Sequence, residues 1–161
     1  MAVFTAIGIL GAGPVKHAVE SKVLKARVFN ISRVSSIISI DGILDESAWS
    51  RAASAENFLE IQPGNNVEPP VPTEVKVTYD KDNLYVAFKA YSDPKDIRAT
   101  LQKRDLAYRD DFVAIVIDTY GDANSAVMIG SNPLGVQMDA LNTSGGHDDP
   151  SYDVIYESKG K

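Results

Sequence analysis

The chain has no cysteine, which excludes disulfide frameworks, thiolate zinc sites and cysteine nucleophiles and leaves oxygen or histidine as the ligands any metal would need. It has a single tryptophan, Trp49. It also lacks a basic stripe. Its 16 Lys and Arg are scattered among 22 Asp and Glu, the net charge is -6, and a phosphate backbone would need clustered cations, so nucleic acid is excluded as a partner. No apolar run is long enough to cross a bilayer, so no direct membrane span is expected. The nearest is Ala2 to Val15, which has the length of a signal-peptide core but no basic residue ahead of it. Residues 1–26 are read as a leader or a disordered tail outside the fold. Residues 27–161 form one domain, with enough chain to bury a sizeable core.

What is present is mainly β-strand pattern, clearest from Thr73 to Tyr91. Val75, Val77 and Tyr79 alternate with Lys76 and Thr78, and Leu84, Val86 and Phe88 alternate with Tyr85, Ala87 and Lys89. This period of two belongs to strands that bury one face. Asp80-Lys81-Asp82-Asn83 links the two runs with side chains that hydrogen-bond their own backbone, so the stretch is predicted as a β-hairpin. Before it, the β-branched residues between Arg27 and Ile40 predict one or two strands. Asp45 to Ala53 predicts a short helix with Trp49 on its inner face, Phe58 to Gln62 a strand, and the proline-rich run Pro63 to Pro72 a loop.

After the hairpin, Lys95 to Arg104 reads as a helical turn or an extended edge. Phe112 to Ile117, between Asp111 and Asp118, is apolar on both faces and predicts a central strand. Ser125 to Gly130 is its antiparallel partner, Val136 to Leu141 another strand, Asn142 to Pro150 a polar loop and Tyr152 to Glu157 a last strand. Seven or eight short strands with one brief helix define an all-β class. The expected fold is an antiparallel β-sandwich of immunoglobulin-like or jelly-roll type, since a parallel α/β fold needs long crossover helices.

An ordered set of motifs carries a resemblance. It comprises Ile40-Asp41-Gly42-Ile43-Leu44-Asp45-Glu46-Ser47-Ala48-Trp49; Thr73-Glu74-Val75 leading to Tyr79-Asp80 and Leu84-Tyr85-Val86; Arg104-Asp105; Asp110-Asp111 with Asp118-Thr119; and Asn132-Pro133-Leu134-Gly135-Val136-Gln137 with Asp139. Together, over roughly Ser36 to Lys159, these resemble the carbohydrate-binding module family 9-like domain. The similarity is greatest to the version at the N-terminus of large bacterial proteins whose remainder is predicted to be an outer-membrane-type barrel. The resemblance implies a non-catalytic β-sandwich that binds a poly- or oligosaccharide, is associated with carbohydrate catabolism and adjoins a barrel or hydrolase domain. It implies a periplasmic, outer-membrane-associated or secreted location. The sequence departs from the pattern in carrying Tyr152 and Tyr156 where tryptophans are usual. The pattern also runs one or two strands beyond Lys161, which implies a sandwich truncated at its C-terminus.

Sugar recognition needs an aromatic face for the C–H side of a pyranose and planar polar groups for its hydroxyls. Tyr108, Tyr120 and Tyr152, in or beside loops, are platform candidates, whereas Trp49 at a helix-inner position is expected in the core. Arg104, Asn132 and Gln137 are the polar candidates, because the resemblance places them in its motifs and their fork or amide geometry suits hydroxyls. The expected carbohydrate contacts are therefore Arg104, Tyr108, Asn132, Gln137 and Tyr152, with no catalytic residue. Asp110, Asp111, Asp118 and Asp122 bracket one hairpin and are the candidates for calcium. Their spacing does not reproduce an alternating-ligand calcium loop, and turn aspartates explain them equally simply. Asp148, Asp149 and Asp153 form a second acidic group. Haem ligation by Met128, Met138 or His147 is set aside, because the methionines sit where core residues do and the histidine in a loop. Two other functions stay open: a structural or docking domain that packs against its neighbour, and a glycoside hydrolase component using paired carboxylates.

Overall fold

A computed structural model describes residues 28–146 and 148–161; the leader expected at 1–26 and His147 lie outside the described residues. The described chain is a β-sandwich of two antiparallel sheets. β1 (Ala53–Ala55), β2 (Thr73–Tyr79) and β3 (Leu84–Ala90) form the first, in the order β1-β2-β3. β4 (Val113–Ile117), β5 (Ser125–Ser131), β6 (Gln137–Thr143) and β7 (Asp148–Asp149) form the second, in chain order. Among the described residues no helix is long and apolar enough to cross a membrane.

The β2–β3 hairpin forms as its alternation predicts. Val75 pairs with Phe88, Val77 with Val86 and Tyr79 with Leu84, so the apolar set shares one face. Asp80 holds the turn, its carboxylate accepting from the backbone N–H groups of Asp82 and Asn83, each at 2.7 Å, and from the Tyr85 hydroxyl at 2.8 Å. The opposite face, bearing Lys76, Thr78, Tyr85 and Ala87, is also covered. Val34, Ile38, Ala48 and Trp49 form a cluster with Ala87 there. Two bonds seat that cover on β2: the Val34 N–H donates to Tyr79 O at 2.8 Å, and the Thr78 hydroxyl donates to Ser32 O at 2.9 Å. Thr78 can therefore be fully buried without an unmet hydrogen bond.

Several local expectations are corrected. The helix expected from Asp45 to Ala53 is a pair of overlapping turns, closed by Trp49 N–H to Glu46 O and Arg51 N–H to Ala48 O. Ser50 donates its hydroxyl to Ser47 O, and the chain must straighten at once so that Ala53–Ala55 can pair with β2, leaving too little length to repay helix nucleation. Trp49 is nonetheless buried. Of the strands expected within 27–40 and 58–62, the described residues form only single bridges, Arg33 to Tyr79 and Glu60 to Val67.

Phe112 to Ile117 was expected at the centre of a sheet. β4 instead lies at the edge of the second sheet, paired with β5 alone. Its apolar run is only partly covered, with Phe112 and Val116 exposed, so apolar composition here marks neither full burial nor pairing on both sides. The expected strand from Tyr152 to Glu157 is also absent. The pairing to β6 is made by Asp148–Asp149, within the stretch read as loop, and the following residues run across β6 in irregular conformation. Side-chain hydrogen bonds, described next, replace a ladder there.

Candidate functional site

β6 presents Gln137 and Asp139 on one face, opposite Ser131 and Ile129 of β5. Asp105 covers the free edge of β6 at this point. Its backbone is in the left-handed region (φ 62), which Asp tolerates. This lets its N–H donate to Gln137 O at 3.0 Å while its carboxylate accepts from Asp139 N–H at 3.0 Å. One residue thus mimics a paired strand, and its neighbour Arg104 is aimed across β6.

Arg104 is the hub. Its Nε and Nη2 donate to Asp139 Oδ1 at 2.9 and 2.6 Å, its Nη1 to Gln137 Oε1 at 3.0 Å, and its Nη2 also to Val154 O at 2.7 Å. Asp105 and Asp153 stand 3.7 and 3.3 Å from Nε. Asp139 is fully buried and accepts from the Val154 N–H with its other oxygen. A buried carboxylate without a partner would cost several kcal/mol, and the guanidinium removes that cost. Burial opposes the charge on Arg104, but the hydrogen bond and charge of Asp139 outweigh it and hold its pKa above the usual value.

Tyr156 stacks beneath this hub, its ring 5.4 Å from the guanidinium carbon. Its hydroxyl reaches between β5 and β6, donating to Gly130 O at 2.7 Å and accepting from Met138 N–H at 2.9 Å. The Tyr156 carbonyl accepts from Gln137 Nε2 at 2.6 Å. Burial pushes the Tyr156 phenol up to about 12. Ser158 then donates to Gly135 O at 2.9 Å, and Gly160 passes so close to Pro133 that a Cβ there would collide with the Pro133 oxygen.

Asn132 makes a separate node in the turn between β5 and β6. Its Nδ2 donates to Thr100 O and Asp110 Oδ2, both at 2.9 Å, and its Oδ1 accepts from the N–H groups of Leu134 and Val136 at 3.0 and 2.9 Å. These four bonds use the whole amide. The structure therefore brings Arg104, Tyr108 and Gln137 together around Asp139 and places Asn132 in the adjoining turn. Tyr108 is about half-exposed, its hydroxyl 3.3 Å from Asp139 O and its ring edge-on to Phe112 at 6.2 Å between centroids. Burial, followed by the fields of Asp105, Asp139 and Asp148, raises the pKa of its phenol. Tyr152 is comparably exposed and directly precedes Asp153. Tyr120 projects from the β4–β5 loop, 82% exposed.

The four aspartates read as calcium candidates are each engaged locally. Asp110 accepts from Thr100 and Asn132, and Asp111 from the Arg98 N–H at 2.8 Å. Asp118 accepts from the N–H groups of Tyr120, Gly121 and Ala123, and Asp122 from that of Asn124. The Ala123 bond foremost holds Asp118 below the usual carboxylate range, and the Thr100 bond does so for Asp110. Among the described residues, the carboxylates close enough to share one ion are instead Asp105, Asp139 and Asp153. The Arg104 guanidinium already supplies their counter-charge.

Sequence reasoning had Asp139 within a motif but missed its role, along with those of Asp153 and Tyr156. The available signal was an acidic residue flanked by Met138 and Ala140 inside a strand, where a buried charge demands a cation. Met138 packs with Ala107 and Val136 as a core residue. A shallow open hollow lined by Arg33, Val34, Ser35, Asp80 and Lys81 lies at the β2–β3 turn. No aromatic ring lines it, so the Arg104 region is the stronger candidate.

A two-sheet antiparallel sandwich with half-exposed tyrosines bordering a polar hub has the make-up of a recognition domain. The family model described as carbohydrate family 9 binding domain-like matches residues 40–145, more than half of the chain, and the chain belongs to that family. It is a carbohydrate-binding domain by membership. The match includes Arg104, Tyr108, Asn132, Gln137 and Asp139, and ends before Tyr152, Asp153 and Tyr156. Comparison with curated proteins and with solved structures finds no match.

Proposed function

We propose that the chain is a non-catalytic domain that binds a poly- or oligosaccharide at the Arg104 region, in the service of carbohydrate breakdown outside the cytoplasm. The observation that carries this reading is the half-exposed Tyr108 ring, whose hydroxyl bonds the backbone of Asp139, the carboxylate partner of Arg104, within the segment the family model matches. Tyr108 and Tyr152 supply apolar faces to the C–H side of a sugar ring. Arg104 keeps a second Nη1 N–H beyond the one it gives Gln137, and this donor is available to a hydroxyl. Gln137 and Asn132 act by positioning, since their amide groups are committed to Arg104, Tyr156 and the β5–β6 turn.

Affinity electrophoresis through gels containing soluble polysaccharides tests the proposal. Retardation should fall by about tenfold in affinity on Tyr108→Ala, in line with loss of a stacking contact at a recognition site. Unchanged retardation in Tyr108→Ala and Tyr152→Ala proteins that remain folded by circular dichroism would rule out this location. A second reading, a structural or docking domain, is favoured by one observation: most donors and acceptors of Arg104, Asn132 and Gln137 are satisfied internally. Absence of retardation by every polysaccharide would select it.

A further inference from the structure

Among the described residues Arg104 is the only cation bonded within the hub, yet its charge is not available to a ligand. Asp139 holds it at 2.6 Å from beneath, Asp105 lies 3.7 Å away, and Asp153 closes the outer edge at 3.3 Å with 74% of its side chain exposed. Three carboxylates against one guanidinium leave the surface beside Tyr108 net negative. The exposed Asp148 and Asp149 of β7 pair with Leu141 and Asn142 farther along the same strand and add to that field. A free arginine next to an aromatic ring would suit an anionic sugar, because guanidinium and carboxylate pair bidentately. Here a uronate or sulfate would approach Asp153 and Asp105 before it could use Arg104.

We infer that Asp153 is a specificity-determining residue that sets the charge class of the saccharide, admitting neutral and amino sugars and rejecting anionic ones. This rests on the saccharide reading above. A neutral hydroxyl accepts the remaining Arg104 Nη1 N–H without disturbing the pairs beneath it. An ammonium group of an amino sugar finds the outer oxygen of Asp153, which lies at the solvent side of the hub. A carboxylate-bearing sugar meets like charge, and the chain's net charge of -6 slows its approach as well.

The test uses the full chain and its Asp153→Asn variant in affinity gels containing a neutral soluble β-glucan, a polyuronate or a chitosan oligosaccharide, each at low and high salt. Wild type should be retarded by the neutral or the amino polymer and pass the polyuronate freely. Asp153→Asn should gain about fivefold in affinity for the polyuronate at low salt, the upper range for one solvent-exposed charge pair, and lose that gain near 1 M salt. The ratio of its affinity for the polyuronate to that for the neutral polymer should rise, with circular dichroism showing the variant folded. Retardation of wild type by the polyuronate, or a variant with an unchanged preference, overturns the role of Asp153 while leaving the saccharide reading standing. Absence of retardation by all three polymers in both proteins overturns the saccharide reading and this inference together.

Discussion

Trp49 and Tyr156 show how single residues commit the chain to its packing. Trp49 is buried against Val34, Ile38 and Ala87, and its indole N–H donates to Glu46 at 3.0 Å, so both its surface and its polar atom are satisfied. Trp49→Ala should cost about 3 to 5 kcal/mol in denaturant titrations, as large aromatic truncations in cores do. A variant that kept its stability but lost polysaccharide affinity would move Trp49 into the binding site. Tyr156 carries a pH signature. Its phenol is raised by burial to about 12, so the unfolded chain loses this proton first as pH rises. Its contribution should be intact below pH 10 and decline between about 10 and 12. Tyr156→Phe should flatten that part of the stability profile in melts taken across the range. The Trp49 burial was legible from its place on the inner side of an amphipathic turn. The Tyr156 role was not, because a phenol bridging two strands depends on a chain crossing that no local pattern records.

Among the elements, the β2–β3 hairpin was readable residue by residue, since both its register and its turn are local consequences of alternation and Asx chemistry. Asp80 is the residue to test. The Asp82 N–H foremost, then the Tyr85 hydroxyl and the Asn83 N–H, hold its carboxylate down at about 2. A depressed carboxylate stabilises the fold above its unfolded pKa and stops doing so as pH falls through the folded value. Acid melts should therefore show a component between about pH 4 and pH 2 that Asp80→Asn lacks. Elements whose identity depends on distant partners were misjudged. β4 has the composition of a central strand yet pairs on one side only, and the segment from Tyr152 onward has strand composition yet is held by Arg104, Gln137 and Asp139 through side chains. Composition reports apolar character alone, and both cover and pairing are settled by the rest of the molecule.

At the scale of the whole molecule, Asp139 ties three stretches of chain that lie far apart in sequence. Through it the 104–105 corner, β6 and the segment around Val154 share one charge network. Asp139→Ala leaves the part-buried guanidinium without its closest counter-charge and should cost about 3 to 5 kcal/mol, measured by chemical denaturation. Losing no more than an exposed pair would mean that Asp105 and Asp153 suffice. The candidate site was legible in its membership, because Arg104, Tyr108 and Gln137 do meet, but not in its internal bonding. Spacing names residues that come together, whereas the partner that consumes each donor is a property of the folded chain. The lone tryptophan adds a practical consequence. All indole emission comes from the layer covering the β2–β3 hairpin, while tyrosines stand in both halves, Tyr79 and Tyr85 in the hairpin and Tyr108 and Tyr156 at the Arg104 hub. Emission excited in the indole band therefore reports on the first sheet alone, whereas far-ultraviolet circular dichroism reports on both. Whether the two traces coincide on denaturation reveals if the sandwich melts as one cooperative unit or sheet by sheet.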